Sequence, residues 1–338
     1  MRSIKCSVII ANFNGKDYLN RCLNSVLREK GDYEIIVVDD DSPDKSGHLA
    51  YEQFKNNPRV KFILSKKNRG VAYSRNTGAK ITRGKYLFFL DNDTEIKPNW
   101  LSKIDGFFRK YPQTGLVQTK LLRKGTRSFD CAGDYMGPFG FLIERARSAK
   151  DIGQFDKPDK IFSLKTAAAI VRANVFSKLR GFDENYHIYW EDTDFAWRCW
   201  LLGYEVRFLS EITVYHVQKD PSQYFYHQVF YRGCRNTLFT LIKNYGAKRL
   251  FLVVPVNFVC WFVLSLLFFL KKDFPKGTAL LKGLLWNIIY LPQTLSKRKA
   301  IQQSRQISDE ALFSRVGSSK PKSYYFGKAK AYVQGKPY

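Results

Sequence analysis

Short, mostly apolar runs ending in polar or glycine-containing breaks recur through the first ninety residues. Cys6 to Ala11 stop at Asn12-Phe13-Asn14-Gly15, and Tyr33 to Val38 stop at Asp39-Asp40-Asp41-Ser42. Val60 to Leu64 precede the turn Asn68-Arg69-Gly70, and Tyr86 to Leu90 stop at Asp91-Asn92-Asp93. Runs this short and this continuous predict strands buried on both faces. Between them the period changes. Tyr18, Leu19, Cys22, Leu23, Val26 and Leu27 recur at helical spacing, Ser42-Pro43 offers a cap and first residue for a second helix, and Val71 to Ile81 predict a third. Alternation of strand and helix predicts an α/β fold: a mostly parallel central sheet, helices on both faces, polar loops gathered at one rim.

Farther along, the pattern predicts a helix over 99–111 and a fifth strand over Leu116 to Leu122. Residues 129–159, rich in Gly, Phe and charge, show no period and read either as a lid or acceptor loop or as irregular surface. A small-residue strand, Lys165 to Arg172, precedes a short helix, then Gly181-Phe182-Asp183-Glu184. Tyr189-Trp190-Glu191-Asp192-Thr193-Asp194 opens a helix that ends at Gly203, and two short strands follow, Val206 to Leu209 and Ile212 to Val217.

The last third predicts a helical, hydrophobic appendage. Phe225 to Tyr245 is aromatic and basic; Phe251 to Leu270 carries no charge and at about 1.5 Å per residue is long enough to cross a bilayer. A second apolar stretch, Gly277 to Leu291, is interrupted by Lys282 and Asn287. Pro255, Asn257 and basic flanks on every side leave a span and an in-plane anchor both open. The tail from Gly317 is expected to be flexible.

Charge sharpens this division. The 338 residues carry a net +26, and from Lys219 onward 20 Lys and Arg face 4 Asp and Glu, so +16 lies in the back part. That excess suits an anionic partner. It clusters around the apolar stretch and accompanies no nucleic-acid motif, so a membrane surface is expected and nucleic acid is not. The six cysteines form no Cys-x-x-Cys pair and read as reduced core residues. Only Met1-Arg2-Ser3 precedes the first strand, so no cleaved leader is expected and the front part is expected in the cytosol.

Two acidic clusters carry the candidate chemistry. Asp91 and Asp93 sit where a buried strand leaves its sheet, and two hard oxygen ligands there suit Mg²⁺ or Mn²⁺ carrying a diphosphate. The same residues also make good turn chemistry and a cap for the helix after Pro98. Glu191 and Asp192 fall in a helix's first turn, where the macrodipole favours an ionised carboxylate, as a base for a hydroxyl must be; plain capping, common for acids in first turns, is the simpler reading of the residues alone. Asp194 and Arg198, four apart, read as a structural pair. His216, in a short apolar strand, reads as a core histidine or as a ligand.

Taken in order, strand-Asn-x-Asn-Gly, strand-Asp-Asp-Asp-Ser, Asn-Arg-Gly-x-x-x-x-Arg-Asn, Leu-Asp-Asn-Asp-Thr, Gly-Phe-Asp-Glu and Trp-Glu-Asp-Thr-Asp resemble the family 2 inverting glycosyltransferases of the GT-A fold over residues 4–217. Bacterial rhamnosyltransferases and cell-surface glycan enzymes are the best match. The resemblance implies Asp40 near the nucleobase with Ala11 and Phe13 beside it, Arg75 and Asn76 lining the donor pocket, Asp91 and Asp93 as the metal motif with Asp93 touching the ion, and Asp192 as general base. His216 is similar in place to a histidine that ligates the metal in some members. Ala11 stands where members often have Pro or Thr, and no Gln-x-x-Arg-Trp follows the base, so processive synthases match poorly. The implied organisation is a catalytic domain over 1–218, with a nucleotide-sugar half over 1–125 and an acceptor and base half over 126–218. A membrane-associating region over 219–300 and a basic tail over 301–338 follow it. The implied reaction moves a sugar from a UDP- or dTDP-linked donor, dTDP-rhamnose included, to a hydroxyl of a polyprenyl-linked glycan at the cytoplasmic face of the membrane. The rival reading is a non-catalytic nucleotide-sugar binder or degenerate transferase.

Overall fold

The computed structural model describes residues 4–217 and 226–334. Contacts divide the chain into one unit of residues 1–134 and 144–218 and a second of residues 135–143 and 219–338.

The first unit opens with β1 (Cys6–Asn12), α1 (Leu19–Leu27), β2 (Tyr33–Asp39), α2 (Ser46–Phe54), β3 (Val60–Leu64), α3 (Val71–Ala79) and β4 (Tyr86–Asp91). β1 pairs in parallel with both β2 and β4, and β2 with β3. Successive side chains on these strands point to opposite faces, and both faces are covered. Val8, Ile10, Ile35, Val37, Phe88 and Leu90 pack with Leu23 and Val26 of α1. Ile9 and Val38 meet α3 so closely that a Cβ on Gly78 would lie 2.7 Å from Ile9. Continuous burial of β1, β2 and β4 explains why these strands read as mostly apolar runs, whereas the edge strand β3 is largely half-buried.

β5 (Thr94–Ile96), α4 (Leu101–Lys110) and β6 (Thr114–Arg123) follow. Asp91 ends β4 and Asp93 lies in the turn before β5, so these acids do not cap α4; its preceding residue, Trp100, gives its N–H to Glu29 Oε2 at 2.7 Å. Ser42 also departs from expectation. It donates to Asp39 Oδ2 at 2.7 Å, and α2 starts later, at Ser46. The aperiodic stretch contains β7 (Phe129–Cys131), paired with β6, and the two-stranded ribbon β8 (Asp134–Met136) and β9 (Leu142–Glu144).

β10 (Ala168–Arg172) lies antiparallel between β4 and β6, ahead of α5 (Ala173–Lys178) and α6 (Glu191–Leu201). The two strands expected after Gly203 are one, β11 (Glu205–His216), parallel to β6 with a register shift between Leu209 and Thr213 that breaks the apolar period. β5 pairs with the end of β11, closing the order β3-β2-β1-β4-β10-β6-β11-β5.

The second unit contains α7 (Tyr226–Asn244), α8 (Ala247–Leu270), α9 (Phe274–Ile289), α10 (Leu291–Ser304), α11 (Asp309–Val316) and α12 (Lys322–Val333). Phe225, expected to begin α7, lies outside the described residues. Pro255 sits inside α8 without ending it. Among its described residues, the stretch read as a tail contains two helices, α11 and α12. Ser308 caps α11 by accepting the Ala311 N–H, and Leu312 and Val316 are buried, whereas the polar, lysine-rich composition of α12 concealed its helix.

Candidate active site

The carboxyl ends of β1, β2 and β4 are neighbours, and one buried amide links them. Asn12 Nδ2 donates to Asp39 Oδ2 (2.6 Å) and Ser46 Oγ (2.8 Å), while its Oδ1 accepts from Asn92 Nδ2 (2.7 Å). On this frame Ala11 is half-buried and Phe13 exposed. Asp40 is buried, and its carboxylate accepts the N–H groups of Arg69 (3.0 Å) and Gly70 (2.7 Å). Burial holds that carboxyl above its ordinary range against the pull of those donors. Gly70 has φ +89°, and a Cβ there would meet His187 Nδ1 at 2.4 Å, so only glycine fits where these loops cross.

Topology joins what sequence separates. His216 ends β11 in register with Thr94 of β5, which brings it to the turn carrying Asp91 and Asp93. One donor atom from each of Asp91, Asp93 and His216 lies within 4.8 Å of the others. His216 Nε2 is 3.2 Å from Asp93 Oδ1, and its Nδ1 is 2.9 Å from Asp130 Oδ2. Burial alone would lower the imidazole pKa, but the two carboxylates outweigh it and raise it to about 10. Two carboxylates and one imidazole gathered at the rim fit a divalent cation of the Mn²⁺ or Mg²⁺ kind, with coordination left for substrate oxygens.

Arg75, on α3, is buried and holds two acids at once. Its Nη2 meets Asp91 Oδ1 at 2.7 Å and its Nη1 meets Glu191 Oε1 at 2.9 Å. Burial opposes its charge, and the two carboxylates restore it, leaving the pKa raised. Asp192, next along α6, takes no part in this ion pair: its bonds are local, Oδ1 accepting the Thr193 N–H at 2.7 Å. The helix terminus was expected to keep both acids ionised. Burial acts the other way and prevails, raising both carboxyls; the Asp192 charge adds to the effect on Glu191, and Arg75 opposes it on each.

Asn76 is engaged at both ends of its amide. It donates to Phe182 O (2.9 Å) and Glu184 Oε1 (3.1 Å) and accepts the Phe182 N–H (2.9 Å), pinning the Gly181–Glu184 turn. Asp194 and Arg198 do pair, at 2.8 Å, and Arg198 also donates to Leu179 O and Gly181 O. Between that turn and α6, His187, Tyr189 and Trp190 all have φ between +62° and +70°, a costly conformation for bulky residues concentrated beside Asp192. Asp130 and Lys165 were missed in the sequence. Asp130 lay in a stretch without period, and only the short apolar alternation of Phe129-Asp130-Cys131 marks it as a strand residue.

The family model for glycosyl transferase family 2 matches residues 7–180, more than half of the chain, and the chain belongs to that family. Among sequence relatives it is 42% identical over 94 residues to the poly(ribitol-phosphate) β-N-acetylglucosaminyltransferase TarP of Staphylococcus aureus, a match covering 26% of this chain and 28% of that protein. The chain spans about a quarter of the length of such curated relatives. Among solved structures, S. aureus TarS 1–349 in complex with UDP-GlcNAc superposes with a TM-score of 0.55 at 17% identity, covering 99% of this chain and 90% of that one. GalNAc-T7 with UDP, GalNAc and Mn²⁺ gives a TM-score of 0.59 at 18% identity, covering 73% and 49%. The fold is therefore that of the GT-A transferases.

Proposed function

We propose that the chain is an inverting glycosyltransferase that moves a sugar from a nucleotide-diphospho-sugar to a hydroxyl of a cell-surface glycan. The observation that carries this reading is the double grip of Arg75, which ties Asp91 of the metal motif to Glu191, the neighbour of Asp192. Asp91, Asp93 and His216 would hold Mn²⁺ or Mg²⁺, which supplies positive charge against the leaving diphosphate. Arg75 fixes Asp91 and Glu191 in place through its two ion pairs. Phe13 and Ala11, with the loop that Asp40 holds, receive the nucleobase, and Asn76 acts through the turn it pins. Asp192 takes the proton from the acceptor hydroxyl; its raised pKa makes it a stronger base than an ordinary aspartate. A single displacement then inverts the anomeric centre.

TarS was crystallised with UDP-GlcNAc and GalNAc-T7 with UDP and Mn²⁺, which supports a UDP-linked donor; TarP's poly(ribitol-phosphate) supports an anionic cell-wall polymer as acceptor, to which a basic chain is suited. The test is nucleotide release from UDP-, dTDP- and GDP-sugars, dTDP-rhamnose included, with and without Mn²⁺. Release from at least one, abolished by EDTA and by Asp93→Ala, is expected. Donor binding without release for every sugar and acceptor would favour the non-catalytic reading.

The second unit carries the membrane attachment in this proposal. α8 is the one helix among the described residues long and apolar enough to cross a bilayer. Leu252, Val256, Val259, Val263, Leu266 and Leu270 are exposed on it at alternating spacings of four and three, and with Phe251, Phe262 and Leu267 beside them they make one broad apolar face, while Asn257 and Ser265 are buried. α9 packs between α8 and α7, and α7 brings a basic residue to it: Arg235 lies 3.9 Å from the Trp286 ring of α9, and Asn287 donates to Arg235 O. A transmembrane α8–α9 hairpin would carry the arginine-bearing α7 into lipid, at a cost the in-plane arrangement avoids. The apolar face therefore lies in one leaflet, flanked by Lys248, Arg249, Lys271 and Lys272 at anionic headgroups. The cytoplasmic face is the side that offers nucleotide-sugars.

A further inference from the structure

We infer that Asp130 is a positioning residue for the candidate cation site, acting through His216; this rests on the reading of Asp91, Asp93 and His216 as ligands. Three elements converge to build it. β7 pairs antiparallel with β6, matching Phe129 to Leu122, while β11 runs parallel on the other edge of β6, matching His216 to Arg123. The middle strand thus sets Asp130 beside His216 although 86 residues separate them. The contact is buried on the Asp130 side, at 3% exposure, and short, with Asp130 Oδ2 at 2.9 Å from His216 Nδ1. Lys165, from the loop before β10, holds the other oxygen: its Nζ is 3.2 Å from Asp130 Oδ1. The acid is fixed at both ends.

The consequence follows from imidazole chemistry. A ring has two nitrogens, and a proton held on Nδ1 by a carboxylate leaves the Nε2 lone pair to a metal. Here Nδ1 faces Asp130 and Nε2 faces Asp93. Asp130 therefore selects the ring orientation and the tautomer in which Nε2 points to the acidic pair. It also sets metal preference. Imidazole suits the transition ions better than Mg²⁺, which takes oxygen ligands and keeps its water. A properly aimed His216 raises affinity for Mn²⁺ more than for Mg²⁺, so loss of Asp130 narrows the difference between the two.

The experiment is Mn²⁺ binding to the full chain, read by the loss of the free-ion EPR signal, with Mg²⁺ affinity from competition. Asp130→Asn is expected to weaken Mn²⁺ binding about ten- to a hundredfold, the range for outer-shell partners of metal-bound histidines, and Mg²⁺ binding by less. In a His216→Ala background the same change should have no further effect on Mn²⁺, because the residue through which Asp130 acts is gone. Lys165→Met removes the ion pair at Asp130 Oδ1 and leaves the acid in contact with His216 through Oδ2; it is expected to weaken Mn²⁺ several-fold, and it carries the test if Asp130→Asn does not fold. Unchanged Mn²⁺ affinity in the folded variants, or an undiminished Asp130→Asn effect without His216, overturns the relay. Failure of the wild type to bind Mn²⁺ overturns the cation site itself, and with it the relay.

Discussion

Arg75 Nη2 lies 2.7 Å from Asp91 Oδ1, and the other end of the same guanidinium holds Glu191, so one buried cation joins residues from the two acidic clusters that the sequence keeps a hundred residues apart. Removing it leaves two acids with no counter-charge, one of them fully buried. Arg75→Met is expected to destabilise the fold by roughly 3–5 kcal/mol, the scale for breaking a buried ion pair from one side. Denaturant unfolding measures this. A loss below about 1 kcal/mol would mean that solvent reaches Asp91 and Glu191 well enough to replace the guanidinium.

The His216 imidazole gives a pH signature in the metal-free protein. Its pKa is raised to about 10 from an ordinary 6.5, so the folded state binds its proton more tightly than the unfolded chain. The stabilisation is therefore complete below about pH 6.5 and is lost as pH rises through 10. In EDTA, the Tm gap between wild type and His216→Ala should be widest near pH 6 and shrink toward pH 10. A gap that grows with pH would show that Asp93 and Asp130 do not hold the charged ring.

The proposed membrane attachment separates into charge and insertion. Electrostatic attraction fades as the Debye length falls to about 3 Å near 1 M salt, whereas apolar insertion does not. The full chain should stay on anionic vesicles through a high-salt wash and leave only with detergent. A chain ending at Lys219, a point outside the described residues, should not pellet with them. Cys260 supplies a depth gauge, since it is exposed on α8 and the other five cysteines are buried. A fluorophore there should be quenched best by lipids labelled near the headgroup boundary, roughly 5–10 Å deep. Strongest quenching from the bilayer centre would mean that α8 spans.

The parallel half of the sheet was legible because β1, β2 and β4 are buried on both faces, and each polar break marked a loop at the rim. The candidate ligand set was only partly so. Asp91 and Asp93 are one residue apart, but His216 reaches them through pairing of β11 with β5, a relation that no local period encodes. Asp130 was hidden for the same reason. The pKa direction at Asp192 was misjudged because a helix N-terminus is visible in sequence while the burial that outweighs it is not. The helix α12 was missed because its residues carry almost no apolar period, and β11 was read as two strands because a register shift interrupts one.

The central claim is that Asp192 is the base of a sugar transfer. It is tested most directly by steady-state nucleotide release in wild type and Asp192→Asn, with donor affinity measured alongside. The substitution keeps size and removes the proton acceptor, so kcat is expected to fall by roughly a hundredfold or more while donor Kd stays within about threefold. A kcat near that of the wild type in Asp192→Asn would contradict the account and reduce Asp192 to a residue of the helix's first turn.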